Sequence, residues 1–169
     1  MRIGTGYDVH PMKPGRRLVL GGVEVPFGKG LDGWSDADVL THAIIDALLG
    51  AATLGDIGSH FPPGNPAYKD ISSLVLLQKV RDNLKENGWQ IVNIDATIIA
   101  EQPRLREYID RMRERLSQTL GVALSQVSVK ASTANGTGSI GRGEAIATTA
   151  IALLEATAET ESTNEQKGA

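Results

Sequence analysis

The sequence predicts a single-domain α/β (α+β) fold, and three observations carry that prediction. Strand-like runs of β-branched residues are interspersed with three helix-like segments. The 169 residues suit one domain with a real core and are too few for two substantial ones. No internal repeat divides them.

The elements follow in order. Residues 2–9 read as a strand, and 18–20 and 23–25, joined by Gly21-Gly22, read as a hairpin with a two-residue turn. Ser35 or Asp36 caps a helix over about 38–54, whose good helix formers stop at Gly55. Residues 56–68, rich in Gly and Pro, read as an ordered loop. A second helix fits 71–87, with Gly88 as its stop. Residues 89–100 carry β-branched side chains in near alternation and form a strand. Pro103 suits the first turn of a third helix ending near Gly121, with Leu105, Ile109, Met112, Leu116 and Leu120 as its apolar stripe. A short strand, 127–132, precedes a Gly-rich loop, 134–143. For 145–154 the Ala content favours a helix, while Ile146, Thr148, Thr149 and Ile151 favour a strand buried on both faces. Residues 1–156 form the domain, and 157–169 read as a solvated acidic tail.

Composition excludes several function classes. With no Cys there is no disulfide framework, thiolate ligand or Cys nucleophile, in agreement with a reducing compartment. The longest apolar stretch, 145–154, is far below spanning length, and Met1-Arg2-Ile3 runs straight into strand-like sequence, so the expected location is cytoplasmic. Net charge is −3, and the four Glu and one Lys of residues 155–169 account for all of it. The remainder is balanced, so neither nucleic acid nor a membrane is an expected partner.

The first chemical signal is Asp8-Val9-His10, where period-2 alternation points both side chains to one face. His42 lies one helical turn past Asp38 and one before Asp46, so either Asp could orient it. One Asp and two His suit a divalent transition metal with an open position. An ordinary Asp8–His10 pair and a satisfied core His42 fit the residues as well. His60 reads as an exposed turn residue. Gly136, Gly138 and Gly141 match G-x-G-x-x-G, but too little chain follows for a dinucleotide fold. Five Arg (104, 106, 111, 113, 115) give the third helix a solvated basic face, with Arg104 and Arg106 nearest its start.

Six segments together resemble one family: Gly6 to His10, Ser35 to His42, Leu54 to Gly58 with Phe61-Pro62, Ala100 to Pro103, Val129 to Ala131 with Thr133, and Gly141 to Glu144. In order and spacing they resemble the 2-C-methyl-D-erythritol 2,4-cyclodiphosphate synthases over about residues 2–154. The resemblance implies a mixed sheet with three helices packed on one face plus a small hairpin, assembled as a homotrimer with active sites between subunits. It also implies that 145–154 is a strand. The implied substrate is a cytidine diphosphate derivative, 4-diphosphocytidyl-2-C-methyl-D-erythritol 2-phosphate, and the products are the cyclic diphosphate and CMP.

By the same resemblance Asp8, His10 and His42 would hold Zn2+, one per subunit, and Ser35 and Thr133 would position phosphates. Ser35 would act at the helix start, aided by N-terminal N–H groups. Asp56, Gly58 and Phe61 would bind the sugar side of the substrate. Ala100, Pro103, Arg104, Leu105 and Arg106 of a neighbouring subunit would frame the cytosine. Arg142 and Glu144 would line a cavity on the trimer axis. Arg104 stands where Lys is usual, and Trp34 where His is often found. Asn135 stands where a glutamate usually holds a second ion, Mg2+ or Mn2+, so that site is expected to be weakened. Thr137 and Ser139 replace larger apolar residues, making the axial cavity wider and wetter. These loop changes leave a second function open, a trimeric metal- and cytidine-nucleotide-binding homologue without efficient cyclisation.

Overall fold

The structure, a computed structural model, describes residues 1–157. The acidic tail expected from the sequence therefore lies, beyond Thr157, outside the described residues. Strand β1 (Arg2–Pro14) runs five residues longer than expected and pairs antiparallel with β7 (Ala145–Ala156). Strand β5 (Trp89–Ile99) lies on the other side of β7, also antiparallel, and β6 (Val127–Ser132) extends the sheet parallel to β5. A three-residue strand, β4 (Lys29–Leu31), pairs with the end of β1 and completes the order β4-β1-β7-β5-β6. β7 is thus central, which settles 145–154 as a strand. Its apolar run follows from pairing on both edges. The hairpin of β2 (Leu18–Leu20) and β3 (Val23–Val25) turns at Gly21 and Gly22, both at positive φ, as a two-residue turn requires.

The three main helices are α1 (Val39–Ala52), α3 (Ser73–Glu86) and α4 (Ile109–Leu120). Their buried side chains join those of the sheet and the hairpin in one apolar core. Along β1 the residues alternate, Gly4, Gly6, Asp8 and His10 facing inward while Ile3, Tyr7 and Val9 are exposed. Gly4 and Gly6 carry no side chain because α1 lies directly on them. A Cβ at Gly4 would fall 2.1 Å from the Ala47 carbonyl oxygen.

Element ends correct the sequence reading in several places. α1 is capped by Asp38, whose side chain accepts from Thr41 N, rather than by Ser35 or Asp36, and it ends at Thr53 in the left-handed region, before Gly55. α3 starts two residues later than expected. Pro103 does not open α4. Ala100 N still bonds to the Ser132 carbonyl, and a cis peptide precedes Pro103. The helix begins only after a 3₁₀ turn, Arg106–Tyr108, so Arg104 and Arg106 lie before the helix. The apolar stripe from Leu105 to Leu120 is packed into the core as expected. Two Gly-rich segments read as loops contain short helices, α2 (Ile57–His60) and α5 (Gly138–Gly141).

Candidate metal and substrate site

The close approach of α1 to β1 places His42 against the inward side chains of Asp8 and His10. Asp8 Oδ2 lies 2.9 Å from His10 Nε2 and 3.0 Å from His42 Nδ1, and the two nitrogens are 3.3 Å apart. Among the described residues, these three offer ligand atoms close enough together to hold a metal ion. Four-coordinate zinc with ligands near 2.0 Å separates them by about 3.3 Å, so the triangle needs only a slight opening to fit. His10 Nδ1 donates to the Asp32 carbonyl at 2.8 Å; a carbonyl only accepts, so in the neutral ring the lone pair is on Nε2, the nitrogen that faces Asp8 and His42. The donor set therefore suits a divalent transition ion.

The electrostatics of the three follow from their contact. Burial raises the Asp8 carboxyl, but hydrogen bonds and charge from His10 and His42 outweigh it and hold the group well below the ordinary carboxylate range. Burial lowers His10, while its hydrogen bond to Asp8 and that carboxylate's charge prevail and raise it.

Neither Asp38 nor Asp46 orients the His42 ring. Asp38 is fully buried and accepts from Gly21 N, Gly22 N, Thr41 N and Thr41 Oγ1, tying the hairpin turn to the start of α1. Burial, with the nearby charge of Asp36, raises its carboxyl. Asp46 accepts from Ile57 N at 2.8 Å and so anchors α2. His42 Nε2 instead meets Ser73 Oγ at 2.8 Å and Ser35 Oγ at 3.2 Å. Ser35 precedes the cap by three residues, so it reaches the site from the loop and not from the helix end. His60 is half-buried and donates to the Leu54 carbonyl at 2.7 Å, which makes it a structural residue and not an exposed one.

A cavity of about 240 Å3 opens beside the three ligands, walled by Trp34, Ser35, Gly58, Phe61 and Tyr68 among others. Phe61 packs edge-on against Tyr68 with ring centroids 5.5 Å apart, and Trp34 Nε1 donates to the Asn65 carbonyl. Asp56 does not line this cavity; one carboxylate oxygen caps α2 by accepting from Ser59 N. A second cavity, about 370 Å3, gathers Ala100, Pro103, Arg104, Leu105, Arg106 and Thr133 at the far ends of β5 and β6. It shares no residue with the first. Asn135 sits at positive φ beside Thr133, whose hydroxyl donates to its Oδ1 at 3.2 Å. Arg142 pairs with both Glu144 carboxylate oxygens, and Arg142 but not Glu144 lines a further cavity with Phe27, Lys29 and Glu101.

Sequence reading missed Arg16. Its guanidinium donates to the carbonyls of Leu31, Gly33 and Ser35 and pairs with Asp70 at 3.5 Å, so it clamps the loop carrying Trp34 and Ser35. No motif marks it, because its hydrogen bonds go to backbone carbonyls.

Comparison with known proteins adds to this geometry. A family model described as the YgbB family matches residues 1–155. The 2-C-methyl-D-erythritol 2,4-cyclodiphosphate synthase of Moorella thermoacetica is 58% identical over 154 residues, covering 91% of this chain and 94% of the relative. The synthase of that name from Dehalococcoides mccartyi is 57% identical over 155 residues, covering 92% and 99%. Among solved structures, the CDP complex of IspF from Plasmodium falciparum aligns with a TM-score of 0.81 at 33% identity, covering 92% of this chain and 96% of that one.

Proposed function

The chain belongs to the YgbB family, and on that premise we propose that it is a 2-C-methyl-D-erythritol 2,4-cyclodiphosphate synthase of the non-mevalonate isoprenoid route. It takes 4-diphosphocytidyl-2-C-methyl-D-erythritol 2-phosphate and releases the cyclic diphosphate and CMP. The observation that carries the reading is the convergence of Asp8, His10 and His42 beside a cavity, in a chain more than half identical to proteins of that name.

An oxygen of the substrate's 2-phosphate forms a bond to the β-phosphorus, and the bond from that phosphorus to the oxygen bridging it to the α-phosphate breaks. CMP leaves with that oxygen. No protein nucleophile is required, so the chain's task is positioning and charge stabilisation. Zn2+ on Asp8, His10 and His42 would supply Lewis acidity to a phosphate oxygen. Ser35 donates its hydroxyl to the phosphates, and Trp34 and Phe61 wall the cavity and limit water. Gly58 walls the cavity on the sugar side, and Asp56, outside the cavity lining at the cap of α2, would reach the sugar once substrate is bound. Thr133 holds the diphosphate, and Asn135 would offer a side-chain oxygen to a Mg2+ or Mn2+ ion, with the substrate phosphates as its main expected ligands.

The cytidine end belongs to the cavity of Ala100, Pro103, Arg104, Leu105 and Arg106 on a neighbouring subunit. Two features support a homotrimer with shared sites. The two cavities lie apart within one chain, and the sheet face away from the helices exposes Ile3, Tyr7, Val9 and Ile151. Arg142 and Glu144 then stand near the trimer axis. Residues 1–156 form the domain. No helix of the described residues is long and apolar enough to cross a membrane.

The experiment is phosphorus NMR of the purified protein with substrate, Zn2+ and Mg2+. Cyclic diphosphate and CMP in equal amounts support the synthase. A trimer that binds CDP and releases no CMP would support the nucleotide-binding homologue instead.

A further inference from the structure

His42 offers two ring nitrogens, and its neighbours decide which one carries the proton. Ser73 Oγ lies between His42 Nε2, at 2.8 Å, and Asp36 Oδ1, at 2.5 Å. Asp36 is surrounded by donors: Ser73 N reaches its Oδ2 at 2.9 Å, and Asp38 N reaches Oδ1 at 3.2 Å. A carboxylate so placed accepts from every side. The Ser73 hydroxyl has one proton, and the carboxylate takes it. Its oxygen then meets the imidazole with lone pairs alone, and the shared proton must come from Nε2.

We infer that Asp36, acting through Ser73, is a positioning residue that fixes His42 as the Nε2–H tautomer. That tautomer leaves the Nδ1 lone pair for a cation shared with Asp8 Oδ2 and His10 Nε2; in the metal-free protein the Asp8 carboxylate, 3.0 Å from Nδ1, competes for the ring proton, and the buried Ser73–Asp36 relay has to outweigh it. The relay is rigid because Ser73 is fully buried and Asp36 N bonds to the Ile71 carbonyl at 3.0 Å. It matches the way the Asp32 carbonyl sets the opposite nitrogen of His10, so both rings are oriented by acceptors that cannot donate.

Ser35 gains a role by contrast. Its oxygen lies farther from Nε2, at 3.2 Å, and accepts from Ala37 N at 3.3 Å. With Ser73 holding the imidazole proton, the Ser35 hydroxyl proton stays free for a phosphate oxygen. The consequence for metal binding rests on the reading of Asp8, His10 and His42 as a zinc site, while the tautomer itself does not.

The test is a long-range proton–nitrogen NMR spectrum of histidine-labelled protein, stripped by chelator at mildly alkaline pH and then reloaded with Zn2+. The His42 ring should show its proton on Nε2 in both states. A metal-free spectrum with the proton on Nδ1 overturns the relay, and this needs no variant. Asp36→Asn replaces an obligatory acceptor by a group that also donates, and Ser73→Ala removes the link. Each should lower Zn2+ affinity, read by competition with a chromophoric chelator, about 10- to 100-fold. Unchanged affinity and tautomer in Asp36→Asn would also overturn it. A wild-type protein with the Nε2–H tautomer that takes up no Zn2+ would support the relay and contradict the zinc reading alone.

Discussion

Gly6 of β1 and Ala43 of α1 meet backbone to backbone: a Cβ at Gly6 would fall 1.9 Å from the Ala43 carbonyl oxygen. This contact sets how far α1 stands from the sheet, and so where His42 sits relative to Asp8 and His10, two and four residues farther along β1.

Gly6→Ala cannot be absorbed by a side-chain movement, because the obstacle is helix backbone. It should destabilise the fold by about 3 kcal/mol, the upper end for overpacking. It should also weaken metal binding by pushing His42 away. Urea denaturation beside a Zn2+ competition titration checks both, and a fully stable variant with wild-type affinity would contradict the packing argument.

Arg16→Ala should loosen the loop that carries Trp34 and Ser35, since three carbonyls lose one charged donor group. The expected cost is about 2 kcal/mol, with a raised KM. Arg16→Lys should recover little of it, because one ammonium cannot span the fork of a guanidinium. Denaturation and steady-state kinetics of the two variants provide the check.

The pH response follows from the two shifted groups. His10 is raised above its ordinary 6.5, so its pairing with Asp8 stabilises the metal-free fold fully below that pH and fades as pH rises through the raised value. Asp8 is depressed, so its contribution is present above its ordinary 3.8 and is lost as pH falls below it. Metal binding needs His10 deprotonated, so Zn2+ affinity rises over the range in which this pairing fades. Comparing stripped wild type with His10→Asn should show their stability difference shrinking as pH rises above 6.5. A difference that grows with pH would contradict the assignment.

Asn135→Glu restores a carboxylate where the family usually has one, and hard cations favour carboxylates. It should lower the Mg2+ concentration giving half-maximal activity. Equal Mg2+ requirements in the two proteins would show that the substrate phosphates alone fix that ion.

Local patterns made much of this structure legible. The alternation through Asp8 and His10, the Gly21-Gly22 turn and the stripe from Leu105 to Leu120 each follow from a short stretch of chain. Residues 145–154 did not, because a central strand paired on both sides has the composition of a buried helix; only the resemblance decided it. The three-residue β4 and the four-residue α2 and α5 are too short for periodicity to register. The orienting groups of the site were illegible for a different reason. Ser73 reaches His42 across 31 residues, and Arg16 works on backbone carbonyls, so neither leaves a spacing to read. Asp38 and Asp46 had the right helical spacing, yet their carboxylates serve the hairpin turn and α2.

The central claim is that a metal held by Asp8, His10 and His42 supports cyclisation with loss of CMP. The direct measurement is CMP release by chelator-stripped protein with Zn2+ added back in the presence of Mg2+, beside His42→Ala. Activity that returns with Zn2+ in the wild type and falls at least 100-fold in the variant is the predicted result. CMP release that is unaffected by stripping, or retained in His42→Ala, would contradict it.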